Sequence, residues 1–209
     1  MATIHPVMIL AFDTSSAACT AALFDGSGEC VVRMDERIGR GHAERLVPML
    51  DELLSGRRAE RIVVGVGPGS FTGIRVAIAA AHGLAIGWNA ELLGMSSLAL
   101  LAAGARANID VAAAVIGGHG EIFVQQFNGS SGKPTGELMN LPPAAAAAMT
   151  SADLIVGSAA RTLVDARGWG EAVDALPSAA DTLKLPESLR SLAPKPVYAR
   201  APDAKAKAA

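Results

Sequence analysis

Three apolar runs at the start of the chain leave it little freedom. They read VMILAFD (7–13), CTAALFD (19–25) and ECVVRMDERI (29–38). The links between them, TSSAA and GSG, are too short for a crossover helix, so consecutive runs must turn back as antiparallel hairpins. The period changes after GRG (39–41). In HAERLVPMLDELL (42–54) apolar residues fall at 46, 47, 50, 53 and 54, which is helical spacing. Pro48 removes one backbone donor there and is expected to bend the helix. A buried strand follows at RIVVGVG (61–67), then a helix at GIRVAIAAAHGLAIGW (73–88). AELLGM (90–95) reads as a strand, and SSLALLAAGARA (96–107) as a helix opening on a serine cap.

The second half repeats this order in shorter pieces. DVAAAVIG (110–117) and GEIFVQQFN (120–128) form a strand pair, and 129–137 is a loop. LPPAAAAAM (141–149) is a short helix with proline near its start. DLIVGS (153–158) is a strand and AARTLVDARG (159–168) a helix. The tail PKPVYARAPDAKAKAA (194–209) is expected to be extended and partly mobile. Three antiparallel strands followed by α/β crossovers match the ribonuclease-H-like core of actin-type and sugar-kinase-type domains. The expected fold is therefore α/β, two-lobed and actin-like/ribonuclease-H-like (ASKHA), with mixed sheets. Its lobes would be 1–107 and a reduced 108–209.

The composition fits a folded chain: 51% of the 209 residues are hydrophobic and 18% charged. A net charge of −2 gives no global attraction to nucleic acid, so any RNA contact would be local or carried by a partner. Cys19 and Cys30 lie in apolar surroundings outside any CxxC pair and read as buried thiols. The opening MATIHPVMILAF lacks the pattern of a secretory signal. The run 74–88 is broken by Arg75 and His82, so no membrane span is expected. The cytoplasm is the expected location.

The loop between the strand at 61–67 and the helix after it reads GVGPGSFTG. It offers Gly67, Pro68, Gly69, Ser70 and Thr72 as candidate site residues. A phosphate-cradling P-loop needs a lysine after its last glycine, and none follows Gly73. A dinucleotide fingerprint needs its third glycine one residue earlier. Either free backbone donors at this helix start receive an anion, or glycine stands where a Cβ would clash. In the helix, Gly73, Ala77, Ala81 and Ala85 recur every fourth residue, beside a strip of Ile74, Ile78 and Leu84. That small-residue face lets another helix approach closely, from 42–54 or from a second chain.

Asp13-Thr14-Ser15-Ser16 ends the first strand. Asp13 either faces phosphate and magnesium, as in kinase-like folds, or accepts hydrogen bonds from its own turn. The comparable turn in the second half is Gly117-Gly118-His119-Gly120, with no carboxylate before Glu121. VGSAA (156–160) is only half of a glycine-pair adenosine motif. At most half of a nucleotide site remains. His5, His42, His82 and His119 share no HxxxH spacing, and no G-x-S-x-G elbow is present.

ILAFDTSSAACTAAL, RGHAERLVPML, GVGPGSFTGIRVAIAAAHGLAIG, LLGMSSLALLAA and PVYARAPDAK occur in that order. Together they resemble the TsaB (YeaZ) family over nearly all of 7–107 and the tail. The resemblance implies a non-catalytic subunit that binds the catalytic paralogue TsaD. That complex transfers threonylcarbamoyl to N6 of adenosine 37 in tRNAs reading ANN codons. It further implies the ATPase TsaE as a partner, tRNA contact through the complex, and a homodimer in isolation. The subunit would have no cofactor of its own, and ATP or ADP would sit at the joint surface with TsaD. The implied interface is the helix pair, through His42, Leu46, Met49, Leu50 and Leu53, and through Gly73, Ala77, Ala81, Leu84 and Ala85. The paralogue's HxxxH metal ligands align on Ser97 and Leu101, which cannot replace two imidazoles. Relatives carry an Asp-Ala-Arg-like triplet where this chain has Gly117-Gly118-His119. The alternative is an independent ATP-binding phosphotransferase or glycoprotease-like peptidase built on Asp13 and the 67–73 loop.

Overall fold

The computed structural model describes residues 7–105 and 108–198. His5, the end of the helix expected to reach 107, and the tail from 199 onward lie outside the described residues. The first sheet holds β1 (Ile9–Asp13), β2 (Ala18–Phe24), β3 (Cys30–Arg37), β4 (Arg61–Gly65) and β5 (Glu91–Met95), in the order β3-β2-β1-β4-β5. The hairpin strands pair antiparallel, and β1-β4 and β4-β5 pair parallel. Two crossovers carry α1 (His42–Leu54) and α2 (Phe71–Trp88), and α3 (Ser97–Gly104) leads to the second sheet. α1 runs through Pro48 as one helix. α2 opens two residues earlier than its apolar pattern, because Ser70 Oγ accepts the Gly73 N–H at 3.2 Å and caps it.

The second sheet holds β6 (Val111–Gly118), β7 (Glu121–Phe127), β8 (Met139–Leu141), β9 (Leu154–Val156) and β10 (Glu171–Val173). Its order, β10-β9-β6-β7-β8, and its strand directions repeat the first sheet. α4 (Pro143–Met149) and α5 (Ala160–Arg167) stand where α1 and α2 stand in the first copy. The copy is reduced in three of its strands: β8, β9 and β10 have 3 residues each, against 8, 5 and 5 in β3, β4 and β5. This is the two-lobed actin-like/ribonuclease-H-like α/β fold with mixed sheets.

Strand alternation builds the layers. Leu10, Phe12, Cys19, Ala21, Leu23, Ile62 and Val64 point to one face and join α1 and α2 in a first core. Their neighbours Ala11, Ala22, Phe24 and Val63 point the other way. There they meet α3 and one face of the second sheet, including Val111, Ala113 and Phe123. The opposite face of that sheet, with Ala112, Ala114, Ile122 and Ile155, packs on α4 and α5. The two sheets thus share the middle core.

The end of the described chain departs from a division at 107/108. After β10, a 3-10 helix (Ala179–Lys184) and α6 (Glu187–Arg190) return to the first sheet. The Ala179 N–H donates to Thr20 Oγ1 at 2.7 Å, and Ser178 Oγ donates to Asp35 Oδ2 at 3.0 Å. Gly94 and Leu192 exchange backbone hydrogen bonds at 2.7 and 2.9 Å, and the Val197 N–H reaches Val66 O at 2.8 Å. Residues 178–184 therefore pack on the β2-β3 side of the first sheet, and 189–197 run along its β5 end. β8, β10, the 3-10 helix and α6 had no sequence signal, because segments this short carry too few residues to show a period.

Among the described residues one helix, α2, has the length and composition of a membrane span. Of its residues Gly73, Ile74, Ala77, Ile78 and Ala81 are buried within the chain, and the rest are half-buried or exposed.

Candidate functional site

The glycine-rich loop is stitched to the β1-β2 turn. The Ser70 N–H donates to Ser15 O at 2.6 Å, and Thr14 Oγ1 donates to Gly73 O at 2.7 Å. A Cβ at Gly69 would collide with the Ser15 carbonyl oxygen, and one at Gly73 with that of Thr14. Gly67 has φ 96°, in the left-handed region. These glycines let one backbone lie directly on another. The donors an anion would need at Ser70 and Gly73 are spent, on Ser15 O and on the Ser70 cap. The close packing open to the loop is realised here.

Asp13 is fully buried at the end of β1. Its Oδ1 accepts from the Ser15 N–H and from Ser15 Oγ, both at 2.7 Å, and its Oδ2 accepts from Ser97 Oγ at 2.5 Å. Ser97 Oγ in turn accepts the Gly67 N–H at 3.1 Å. Ser16 Oγ accepts the Ala18 N–H at 3.1 Å and tightens the same turn. The carboxylate thus closes a structural joint among β1, the loop and α3. In the second sheet Val111 pairs with Leu154 as Ile9 pairs with Arg61, so Val115 occupies the place that Asp13 holds in the first. Leu101 lies in the middle core. The β6-β7 turn contains Gly118, His119 and Gly120, all at positive φ.

The helix pair places the expected interface residues differently. Leu46, Met49, Leu50 and Leu53 of α1 and Gly73, Ala77 and Ala81 of α2 are buried within the chain. His42 is buried, with Nε2 3.2 Å from Ala18 O, and Leu84 and Ala85 are half-buried against the first core. The small-residue face expected to meet a second chain is filled by this one. The reason is close approach: small side chains let α2 sit low on the sheet beside α1. The opposite faces stay open. Val47 on α1 is 62% exposed, and Phe71 and Ile86 on α2 are 54% and 83% exposed. Ala79, His82, Gly83 and Gly87 are exposed along the same helix. At the Phe71 end, the Arg75 guanidinium lies 3.7 Å from the ring centroid and donates from Nε to Tyr198 Oη at 3.1 Å. Tyr198 stands 5.7 Å from Phe71, ring to ring.

Arg45 pins α1 to the edge of the first sheet. It donates to Glu36 from Nε at 2.7 Å and to Glu52 from Nη1 at 3.0 Å. The hydrogen bond from Arg45 holds the Glu36 carboxyl below its ordinary range. Burial pushes the Cys19 thiol up to about 11, and its sulfur lies 3.7 Å from Met49 Sδ.

A cleft of about 450 Å³ separates the two lobes at the ends of β1 and β6. Residues 68–71 and Ser15–Ala17 line one side, 115–118 and Ser158 the other, and Ser97, Leu98 and Leu101 the floor. Among the described residues, none of the side chains lining it is charged.

Two features were not foreseen. Ser97 bonds Asp13 across 84 residues of sequence, a pairing that no local signal announces. Val47 falls within the apolar spacing of α1, yet its side chain lies on the open face, 62% exposed.

Residues 35–154 match the family model described as "TsaD: tRNA N6-adenosine threonylcarbamoyltransferase". The Escherichia coli (strain K12) tRNA threonylcarbamoyladenosine biosynthesis protein TsaB is 39% identical over 128 residues, 57% of this chain and 54% of that one. The Haemophilus influenzae protein of the same name is 36% identical over 99 residues, 45% of this chain and 41% of that one. The matched part of the chain thus spans about half the length of these curated relatives. Two Pseudomonas aeruginosa structures agree over nearly the whole chain. One, described as an uncharacterized protein with similarity to peptidase YEAZ, is 32% identical at a TM-score of 0.79, covering 93% of this chain and 100% of that one. The other, YeaZ, is 31% identical at a TM-score of 0.76, covering 92% and 99%.

Proposed function

This chain belongs to the TsaB/YeaZ family, and we propose that it is a non-catalytic subunit of the machinery that makes threonylcarbamoyladenosine in tRNA. In this role it binds the catalytic paralogue TsaD and supports modification of N6 of adenosine 37 in tRNAs reading ANN codons. The surface we assign to that contact is the outer face of α1 and α2, centred on Val47, Phe71 and Ile86. One observation carries this choice: three large apolar side chains stand exposed on two adjacent helices whose inner faces are already filled. TsaE joins the assembly as a further partner, and the same face makes a homodimer when the chain is alone. The tRNA is held through the complex, since a net charge of −2 attracts no phosphate backbone. ATP or ADP, where present, is shared at the joint surface with TsaD, because Asp13 has both carboxylate oxygens occupied within the chain. The work takes place in the cytoplasm.

The test is co-purification with TsaD, followed by threonylcarbamoyl transfer to tRNA with and without this chain. Transfer that depends on the chain, and a complex lost in Ile86→Asp, support the role. An unchanged rate without the chain would overturn it. Micromolar binding of ATP and magnesium to the isolated chain, abolished by Asp13→Ala, would favour an independent phosphotransferase. Peptide hydrolysis by the isolated chain would favour a glycoprotease-like peptidase.

A further inference from the structure

The cleft between the lobes has an unusual chemistry for its size. Its volume of about 450 Å³ lies in the range of a ligand site. Among the described residues, its lining holds no cation to neutralise a phosphate and no carboxylate to receive an amine. An ionic group entering such a space finds no partner charge to offset the hydration it gives up.

The polar groups that are present have a definite sense. Ser16 Oγ accepts the Ala18 N–H at 3.1 Å, Ser70 Oγ the Gly73 N–H at 3.2 Å, and Ser158 Oγ the Ile116 N–H at 3.2 Å. Each hydroxyl uses an oxygen lone pair internally, which leaves its own proton to donate into the cleft. Ser15 differs, because its proton goes to Asp13. Three hydroxyl donors in a neutral setting select uncharged acceptors, above all carbonyl oxygens. Between them stand the apolar side chains of Leu98, Leu101, Val115 and Ile116. Glycines mark both lips: a Cβ at Gly39 or Gly118 would meet nothing within 4 Å, so the mouth has room for a second backbone.

The cleft also runs into the exposed helix face. Phe71 lines it and begins the outer strip of α2. The chain's own tail has the wrong chemistry, since it carries Arg200, Asp203, Lys205 and Lys207. We infer that the interlobe cleft receives an uncharged, extended peptide segment of the protein that covers the outer face of α2, its carbonyls taken by Ser16, Ser70 and Ser158. This rests on the α2 contact proposed above.

The test uses matched pairs on opposite lips, Ser16→Asp against Ser16→Asn and Ser158→Asp against Ser158→Asn, with TsaD as the partner. Both replacements keep an acceptor for the internal N–H, but Asn also keeps a donor for a carbonyl, whereas Asp loses that donor and adds a negative charge. The Asp variants should weaken the complex at least about tenfold while the Asn variants stay within about threefold. On complex formation the amides of 115–118 should also slow in hydrogen exchange. Equal binding by all four variants, or unchanged exchange at 115–118, would overturn the inference. If Ile86→Asp then still abolished binding, the α2 contact would stand alone. No complex with the unaltered chain would remove both.

Discussion

Ser97 donates its hydroxyl proton to Asp13 Oδ2 at 2.5 Å and accepts the Gly67 N–H at 3.1 Å. One side chain thus joins the end of β1, the glycine loop and the start of α3. It also explains why a carboxylate at a position suited to nucleotide chemistry points inward. Ser97→Ala would leave buried Asp13 short of a donor and the Gly67 N–H short of an acceptor. The expected loss is about 2–3 kcal/mol of unfolding free energy. Asp13→Asn should cost a similar amount, because an amide cannot accept all three bonds. Urea denaturation of the isolated chain measures both, and a loss below about 0.5 kcal/mol would show that the joint carries little.

The glycines of α2 and its loop divide into two groups. Gly69→Ala and Gly73→Ala drive a methyl group into the carbonyl oxygens of Ser15 and Thr14, which are backbone and cannot swing aside. Each should cost more than about 2 kcal/mol. Gly83 and Gly87 lie on the open face of the same helix, where a Cβ would meet nothing within 4 Å. Alanine at either site should stabilise the isolated chain by about 0.5–1 kcal/mol through helix propensity. Thermal melts of the four variants separate the groups by sign.

The two faces of α2 give a second contrast. Ala81→Leu overfills the first core, where Ala81 has no exposed surface, and should cost about 1–3 kcal/mol. Ile86→Asp replaces a side chain that is 83% exposed and should leave stability within about 0.5 kcal/mol. If Ile86 is central to the TsaD contact, that variant loses at least about tenfold in affinity by calorimetry. A destabilised Ile86→Asp, or one that binds normally, would remove Ile86 from the assignment.

Cys19 sets an alkaline limit on stability. Its ordinary value of 9.0 is raised by burial to about 11 in the folded chain. Below pH 9 the thiol is protonated whether the chain is folded or not, so its contribution is fully present. Between 9 and 11 the unfolded chain loses the proton and the folded chain keeps it, so stability falls by up to about 1.4 kcal/mol per pH unit. Cys19→Ala should flatten that slope in denaturation series at pH 8–11, relative to the parent chain. An unchanged slope would mean that this thiol is not responsible. At pH 8 the folded chain should also shield Cys19 from alkylation, with labelling appearing on unfolding.

Much of the architecture is legible in one dimension. Link lengths of a few residues force β1, β2 and β3 into hairpins, and alternation along β1 and β4 assigns each side chain to a face. The recurrence of the same element order after 110 shows the second lobe. These are short-range constraints, set by chain reach and side-chain period. Tertiary structure decided the rest. α2 is apolar around most of its circumference, so its sequence carries no direction. Small residues at 73, 77 and 81 turn inward because only they allow a close approach to the sheet and α1, and Ile86 is left in the open. Asp13 could have faced either the cleft or its own turn. Ser97, 84 residues away, turned it inward. The interlobe cleft exists only because two distant walls meet. Such contacts join residues far apart in sequence, and no local pattern records them.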